Sequence, residues 1–317
     1  MRIEPCYPNS AVIVSPIMSH STDRPREPKP AATVVLVRES SSEFQVFLLR
    51  RSGGSGFFPS TYVFPGGTVD SEDLDAELWS EHGDMDPGAI SRSLGGDLSM
   101  EQAIAYGVTA IRETFEEAGV LLAVKNEDDG SDRDNIGDRR MSGGLDKGWL
   151  HELVVSEGWT LAFSRLARWA HWITPELMAY RFDTRFFLAF VPPGQECIPD
   201  ARETTHGVWV TPAQGLAANL EGQIPLSPPA VVTLHELSQY RHIRDLEKEA
   251  RSRLWGEARL PRLIPLPEGP IILQPWDPMR HLEFEIDPNT LSDSVLPVGA
   301  PFSRVWYHNG VWKPVRA

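Results

Sequence analysis

"AIRETFEEAGV", residues 110–120, sets four charged side chains within six consecutive positions and then breaks on a glycine. The segment leading into it, "LSMEQAIAYGVT" (98–109), places Ile104, Val108, Ile111 and Phe115 at three- and four-residue steps, which predicts an amphipathic helix. Ser99 is its expected N-cap and Gly119 its C-terminal stop. On that helix Glu113 shares a face with Glu116 and Glu117, and Arg112 neighbours Glu116 one turn on. Three glutamates crowded at the negative end of a helix macrodipole repel one another and gain nothing from the helix. Taken alone, the cluster reads as a solvated charged face. Its electrostatic misplacement is relieved if a hard divalent cation, Mg²⁺ or Mn²⁺, sits among the carboxylates.

Composition narrows the surrounding chemistry. A hydrophobic fraction of 41% and ten tryptophans across 317 residues suffice for a true core. The net charge of -14 argues against a nucleic-acid or membrane-surface partner, so affinity for a phosphorylated small molecule must be local. Two cysteines, Cys6 and Cys197, give neither a disulfide framework nor zinc spacing and fit a reducing compartment. No apolar run reaches the ~20 residues of a membrane span. "AVIVSPIM" (11–18) lacks the flanks of a signal peptide, and the terminal "KPVRA" is not a peroxisomal address, so the expected location is the cytoplasm. Met18 opens a second plausible start, and residues 1–30 are expected to be a disordered tail.

Working outward from the helix, "AATVVLVRE" (31–39) and "FQVFLLRR" (44–51) predict a strand pair, and "TYVF" (61–64) a third strand running into "PGG" (65–67). The acidic stretch 68–97 is expected to be a long loop with one helical turn, and "VLLAV" (120–124) a buried strand. The polar run 126–144 predicts a mobile insertion, residues 148–170 a tryptophan-rich helix, and 184–191 and 206–210 strands. "TPAQGL" opens a short helix with Thr211 as cap, residues 227–253 one long helix, and the tail a hairpin around Asn309-Gly310. Interleaved strands and helices with an antiparallel pair give α/β (α+β) with a mixed sheet.

Together, "VFPGG" (63–67) and "RETFEEAGV" (112–120) resemble the two halves of the Nudix box, Gly-x5-Glu-x7-Arg-Glu-apolar-x-Glu-Glu-x-Gly-apolar. Forty-four residues separate Gly67 from Arg112 where the family pattern has 13, and Ile104 stands where the pattern has a glutamate that orients the arginine. That supporting role is left vacant or falls to another acid, Glu101 or Asp70. The resemblance implies a Nudix fold over about residues 31–254, with insertions near 68–100 and 125–147. A β-rich extension, 255–317, would pack on it, closing the substrate groove or joining a second copy in a homodimer.

The segment "FLLRRSGGSGFFPSTYVFPGGTVD" (47–70) is similar to the stretch preceding the box in coenzyme A diphosphatases, with Arg51, Ser52, Phe64, Pro65, Gly66, Gly67 and Asp70 matching. The resemblance implies a Mg²⁺- or Mn²⁺-dependent hydrolase of a nucleoside diphosphate substrate, CoA or acyl-CoA, with metal held by Glu113, Glu116, Glu117 and the Gly66 carbonyl. Arg112 would orient the glutamates, and Glu203 is a candidate general base. Arg50 and Arg51, adjacent arginines beside the glycine turn, are candidate phosphate contacts together with Ser52, Phe64, Gly66 and Gly67. Phe57 and Phe58 read as core or pocket lining, and His171 and Trp172 as packing. ADP-ribose, NADH and dinucleotide polyphosphates are the alternative substrates, and a ligand sensor without catalysis is the alternative class.

Overall fold

The computed structural model describes residues 26–41, 43–54, 58–125, 130–200, 202, 204–283 and 286–317. The N-terminal strand β1 (Lys29–Ser40) is followed by β2 (Glu43–Arg51), β3 (Tyr62–Val63) and β4 (Gly66–Thr68). Helix α1 (Ala76–Glu81) and the 19-residue α2 (Met100–Ala118) come next, with short helical turns at Ser71–Leu74, Pro87–Ile90 and Ser91–Gly95. After β5 (Ala123–Val124) lie α3 (Ser131–Ser142), α4 (Trp149–Val155), β6 (Thr160–Leu161), β7 (Ala167–Ile173), β8 (Phe182–Phe190) and β9 (Thr204–Val210). Helices α5 (Pro212–Leu220), α6 (Pro228–Leu237) and α7 (Ile243–Ser252) precede the C-terminal strands. These are β10 (Arg262–Ile264), β11 (Ile271–Leu273), β12 (Arg304–His308) and β13 (Val311–Val315).

A seven-stranded sheet runs β3-β2-β1-β8-β7, with β4 also on β1 and β9 also on β2. Only the β1–β8 pairing in it is parallel, so the sheet is mixed. Strand alternation divides the apolar side chains between two cores. Val34, Leu36, Phe47 and Leu49 face α2 through Ile104, Val108, Ile111 and Phe115. Val35, Val37, Val46 and Leu48 face the opposite core with Val231 and Leu234 of α6. The second sheet, β10-β11-β12-β13, joins that core through Leu263, Ile272, Val305 and Trp312. Asn219 ties α5 to it by donating to the Trp312 carbonyl at 2.8 Å.

Several expectations give way. The stretch 68–97 is largely helical because its acids are caps: Asp75 accepts from the Leu78 N–H, and Asp86 precedes Pro87 and accepts from Ala89. The polar run 126–144 contains α3, anchored by buried Ile136 and Arg140; residues 126–129 lie outside the described set. Residues 148–170 form only the short α4 before the chain turns into β6 and β7. Residues 120–122 are buried without strand pairing, since the Gln195 side-chain amide takes both backbone groups of Leu121. The stretch 227–253 is two helices, α6 and α7, broken where Tyr240 turns onto Trp169. The Asn309-Gly310 hairpin has the left-handed φ values of 51° and 82° that a two-residue hairpin turn needs.

Candidate active site

Helix α2 is capped reciprocally by Ser99 and Gln102 and stops at Gly119, whose φ is 74°. Its C-terminal turn brings the box glutamates against β4. The Glu117 carboxylate accepts from the Gly66 N–H at 2.9 Å. A Cβ on Gly66 would strike the Ala32 carbonyl oxygen, so that position requires glycine, and one on Gly67 would displace the Glu113 carboxylate.

Arg112 is almost fully buried and organises this corner. Its Nη1 donates to Glu113 at 2.9 Å and to Glu116 at 3.1 Å. Its other face meets Asp73, with Nε–Oδ1 at 3.0 Å and Nη2–Oδ2 at 2.8 Å. Asp73 is 1% exposed and also accepts from the Thr109 hydroxyl at 2.8 Å. The acid that holds the arginine is therefore Asp73, which the sequence reading did not name. Asp70 stays 3.8 Å away with its side chain 57% exposed, and Glu101 hydrogen-bonds only Ser99 outside the site. Burial works against the Arg112 charge, but Asp73, Glu113 and Glu116 outweigh it and raise its pKa. Burial pushes the Glu113 carboxyl up to about 7, Arg112 opposing and Glu116 reinforcing the shift.

Two side chains from the stretches after α2 complete the corner. Trp149, at the start of α4, donates its indole N–H to Glu116 at 2.6 Å. Arg140 of α3 donates to the Glu116 carbonyl at 2.9 Å and to the Ile198 carbonyl at 2.7 Å. A cationic side chain, favoured by the negative end of the α2 dipole, thus reaches it from an inserted helix. Arg140→Ala should lower stability by ~1.5–3 kcal/mol, the range for hydrogen bonds to a charged group. Thermal melts would check this, and an unchanged midpoint would show the contact to be energetically idle.

Two cavities meet at these residues. The first, about 550 Å³, is lined by Arg51, Phe64, Gly66, Gly67, Arg112 and the three glutamates, and continues over Phe58, Trp172, Met178 and Phe186 to Ile272 and Gln274. The second, about 650 Å³, carries Arg140, Lys147, His151 and Arg202 among several acids. Asp70, Arg112, Glu116 and Asp200 belong to both. Arg50 and Ser52 line neither cavity, whereas Trp172, expected only to pack, lines the first. His171 is buried and paired with Asp183 at 2.6 Å. Glu203 and Phe57 lie outside the described residues. Asp200, three residues before Glu203 in sequence, accepts from the Thr204 N–H and hydroxyl at 2.9 and 2.6 Å.

A family model described as the NUDT19 Nudix domain matches residues 9–237. The chain belongs to the Nudix hydrolase family. Similar Nudix proteins include the acyl-coenzyme A diphosphatase NUDT19 of Homo sapiens, 27% identical over 85% of this chain and 82% of that protein. The Gallus gallus protein of the same name is 30% identical over 74% of this chain and 72% of its own length. The Xenopus laevis one is 27% identical over 67% of this chain, which spans 64% of that relative. A crystal structure of a Nudix hydrolase from Alicyclobacillus acidocaldarius superposes with a TM-score of 0.57 at 25% identity, covering 73% of this chain and 99% of that one.

The Nudix corner also suits a cation by its own chemistry. Every acidic donor is a carboxylate oxygen, the preference of Mg²⁺ and Mn²⁺. As placed, no three His, Cys, Asp or Glu side chains among the described residues converge on one cation-sized point. Glu113 and Glu116 lean on Arg112, and Glu117 on Gly66. No helix among the described residues is long and apolar enough to cross a membrane.

Proposed function

We propose that this chain is a Mg²⁺- or Mn²⁺-dependent diphosphatase that hydrolyses CoA or acyl-CoA to 3′,5′-ADP and 4′-phosphopantetheine or its acylated form. The observation that carries the reading is the position of the glutamate corner, at the junction of one cavity with a long apolar wall and one that sets Arg140, Lys147 and Arg202 among seven acids. A substrate with a nucleotide on one side of a diphosphate and an uncharged arm on the other fits across that junction. The curated relatives named above point to the same substrate class.

Glu113, Glu116 and Glu117 would hold the cation, with the Gly66 backbone beside them. When bound, such a cation neutralises diphosphate charge and acidifies the attacking water. Arg112 keeps two of the three carboxylates oriented, and Asp73 keeps Arg112 from swinging across them. Arg51, which lines the first cavity, would contact phosphate from there. Asp200, which lines both cavities, and Glu203, three residues on in sequence, are the proposed proton acceptors. Water adds to one phosphorus, the bridging P–O bond breaks, and each product leaves as a phosphate monoester.

Lys147 and Arg202 would meet the nucleotide's 3′-phosphate. The double variant Lys147→Ala, Arg202→Ala should raise KM for CoA about tenfold, or ~1.4 kcal/mol, while dephospho-CoA is hydrolysed as before. Steady-state kinetics on the two substrates tests this. Equal losses on both would remove the 3′-phosphate from that cavity. A panel adding ADP-ribose, NADH and a dinucleotide polyphosphate tests the substrate class itself: CoA must carry the highest kcat/KM.

A further inference from the structure

Glu116 is gripped from outside its own helix by the stretch that follows α2. Trp149, the first residue of α4, donates its indole N–H to one Glu116 carboxylate oxygen at 2.6 Å. Arg112 donates to the other oxygen at 3.1 Å, so each oxygen meets a protein donor. Arg140 of α3 takes the backbone carbonyl of the same residue at 2.9 Å. The chain from α3 to α4 therefore holds Glu116 at its backbone and at its carboxylate. Glu116 lines both cavities and keeps 32% of its side chain exposed. A carboxylate has about four lone-pair sites, so two donors leave room for a cation.

Packing fixes the donor in place. The Trp149 ring lies against Phe115, the residue before its acceptor, with centroids 5.0 Å apart and planes tilted by 41°. The bond to Glu116 is not a by-product of burying an indole, because this fold buries indoles without one. Trp159, Trp169 and Trp306 are each 1% exposed, and their N–H groups have no hydrogen-bond partner among the described residues. Trp79 and Trp255 donate to backbone carbonyls, whereas Trp149 donates to a carboxylate. The two donors on Glu116 also differ in kind. Arg112 brings a positive charge that competes with a cation, whereas an indole N–H is neutral and donates only. Trp149 orients the carboxylate and leaves its charge in place.

We infer that Trp149 is a positioning residue for the cation site, holding the Glu116 carboxylate at the junction of the two cavities. This deepens the proposed function and rests on it, since Glu116 is there a ligand of the divalent cation. It also makes the stretch after α2 part of the site: a ligand supplied by the box is oriented by a residue outside it. Removing a partner that orients a metal ligand lowers metal affinity by about 10–100-fold.

The test compares Trp149→Phe with Trp159→Phe in the full-length chain. Both residues belong to one core and both changes remove an indole, but the first alone removes a bond to Glu116. Mn²⁺ binding without substrate is read from the electron paramagnetic resonance of the free ion, and thermal melts in chelator report folding. Trp149→Phe should raise the Kd for Mn²⁺ about tenfold or more, with KM for CoA unchanged at saturating Mn²⁺. Trp159→Phe should melt lower and bind Mn²⁺ as the wild type does. A β-(3-benzothienyl)alanine at position 149, with sulfur in place of the N–H, keeps the ring volume and should weaken Mn²⁺ binding as Trp149→Phe does. Wild-type Mn²⁺ affinity in both variants at position 149, or an equal loss in Trp159→Phe, would overturn the positioning role and leave the diphosphatase reading standing. The expected loss in a chain that cleaves ADP-ribose and not CoA would sustain the positioning role and overturn that reading. A wild-type chain that binds no Mn²⁺ would overturn both.

Discussion

Glu117→Gln is expected to lower kcat for CoA hydrolysis about a thousandfold, or ~4 kcal/mol, with the fold intact. The side chain is buried and accepts from the Gly66 N–H at 2.9 Å, a bond the glutamine oxygen can still accept. What the substitution removes is the negative charge. In the proposed function that charge helps hold a divalent cation against a diphosphate, so Mg²⁺ affinity should fall together with kcat. Initial rates and calorimetric Mg²⁺ titration measure the two losses on the same preparation. A variant within tenfold of wild type would mean that the carboxylate is not used, and unchanged activity with unchanged metal binding would favour a ligand sensor.

Asp73→Ala should be the most destabilising single change in the site. It strands one side of the buried Arg112 guanidinium, and breaking a buried ion pair from one side costs ~3–5 kcal/mol. Arg112 keeps Glu113 and Glu116, which places the loss toward the lower end. Freed from Asp73, the guanidinium can turn further onto the glutamates and compete with a cation for them. Loss of a partner that orients metal ligands lowers activity or metal affinity by about 10–100-fold. Thermal melts and Mg²⁺-dependent rates report the two effects separately. Glu101→Gln is the control: that side chain is exposed and bonded only to Ser99, so neither readout should move. If Glu101→Gln and Asp73→Ala behaved alike, Asp73 would not be the orienting acid.

The elements that set the fold were legible because their signals are local. The apolar period of α2, its Ser99 and Gly119 ends, and the β-branched runs of β1 and β2 each follow from neighbours a few residues apart. Asp73 carries a signal in the sequence: it stands six residues after Gly67, where Gly-x5-Glu has its acid, whereas counting back from Arg112 across the insertion lands on Ile104. The inserted residues follow Asp73, which supports the arginine from a capping position 39 residues upstream of it. Arg140 was hidden for a different reason, because a polar segment that looked unstructured docks through two side chains, Ile136 and Arg140.

The aromatic stretch before β8 misled for another reason. A bulge between Arg168 and Ala170 breaks the two-residue alternation of β7, so its tryptophans read as a helix. In the long C-terminal helix, nothing local marks the break at residues 238–242; it is imposed by packing of Tyr240 on Trp169 and by Arg253, which donates to the Trp169 carbonyl at 2.7 Å. Among the phosphate candidates, adjacency in sequence could not separate Arg50 from Arg51. On a strand the two point to opposite faces, and only Arg51 turns to the cavity.

Product analysis on CoA is the most direct measurement. The purified chain, stripped of metal by a chelator, is given CoA alone and then CoA with Mg²⁺ or Mn²⁺, and the products are resolved by chromatography and mass spectrometry. The expected result is equimolar 3′,5′-ADP and 4′-phosphopantetheine only when the cation is present. CoA recovered intact from a preparation that cleaves ADP-ribose would contradict the substrate assignment, and equal cleavage in chelator would contradict the role given to the glutamates.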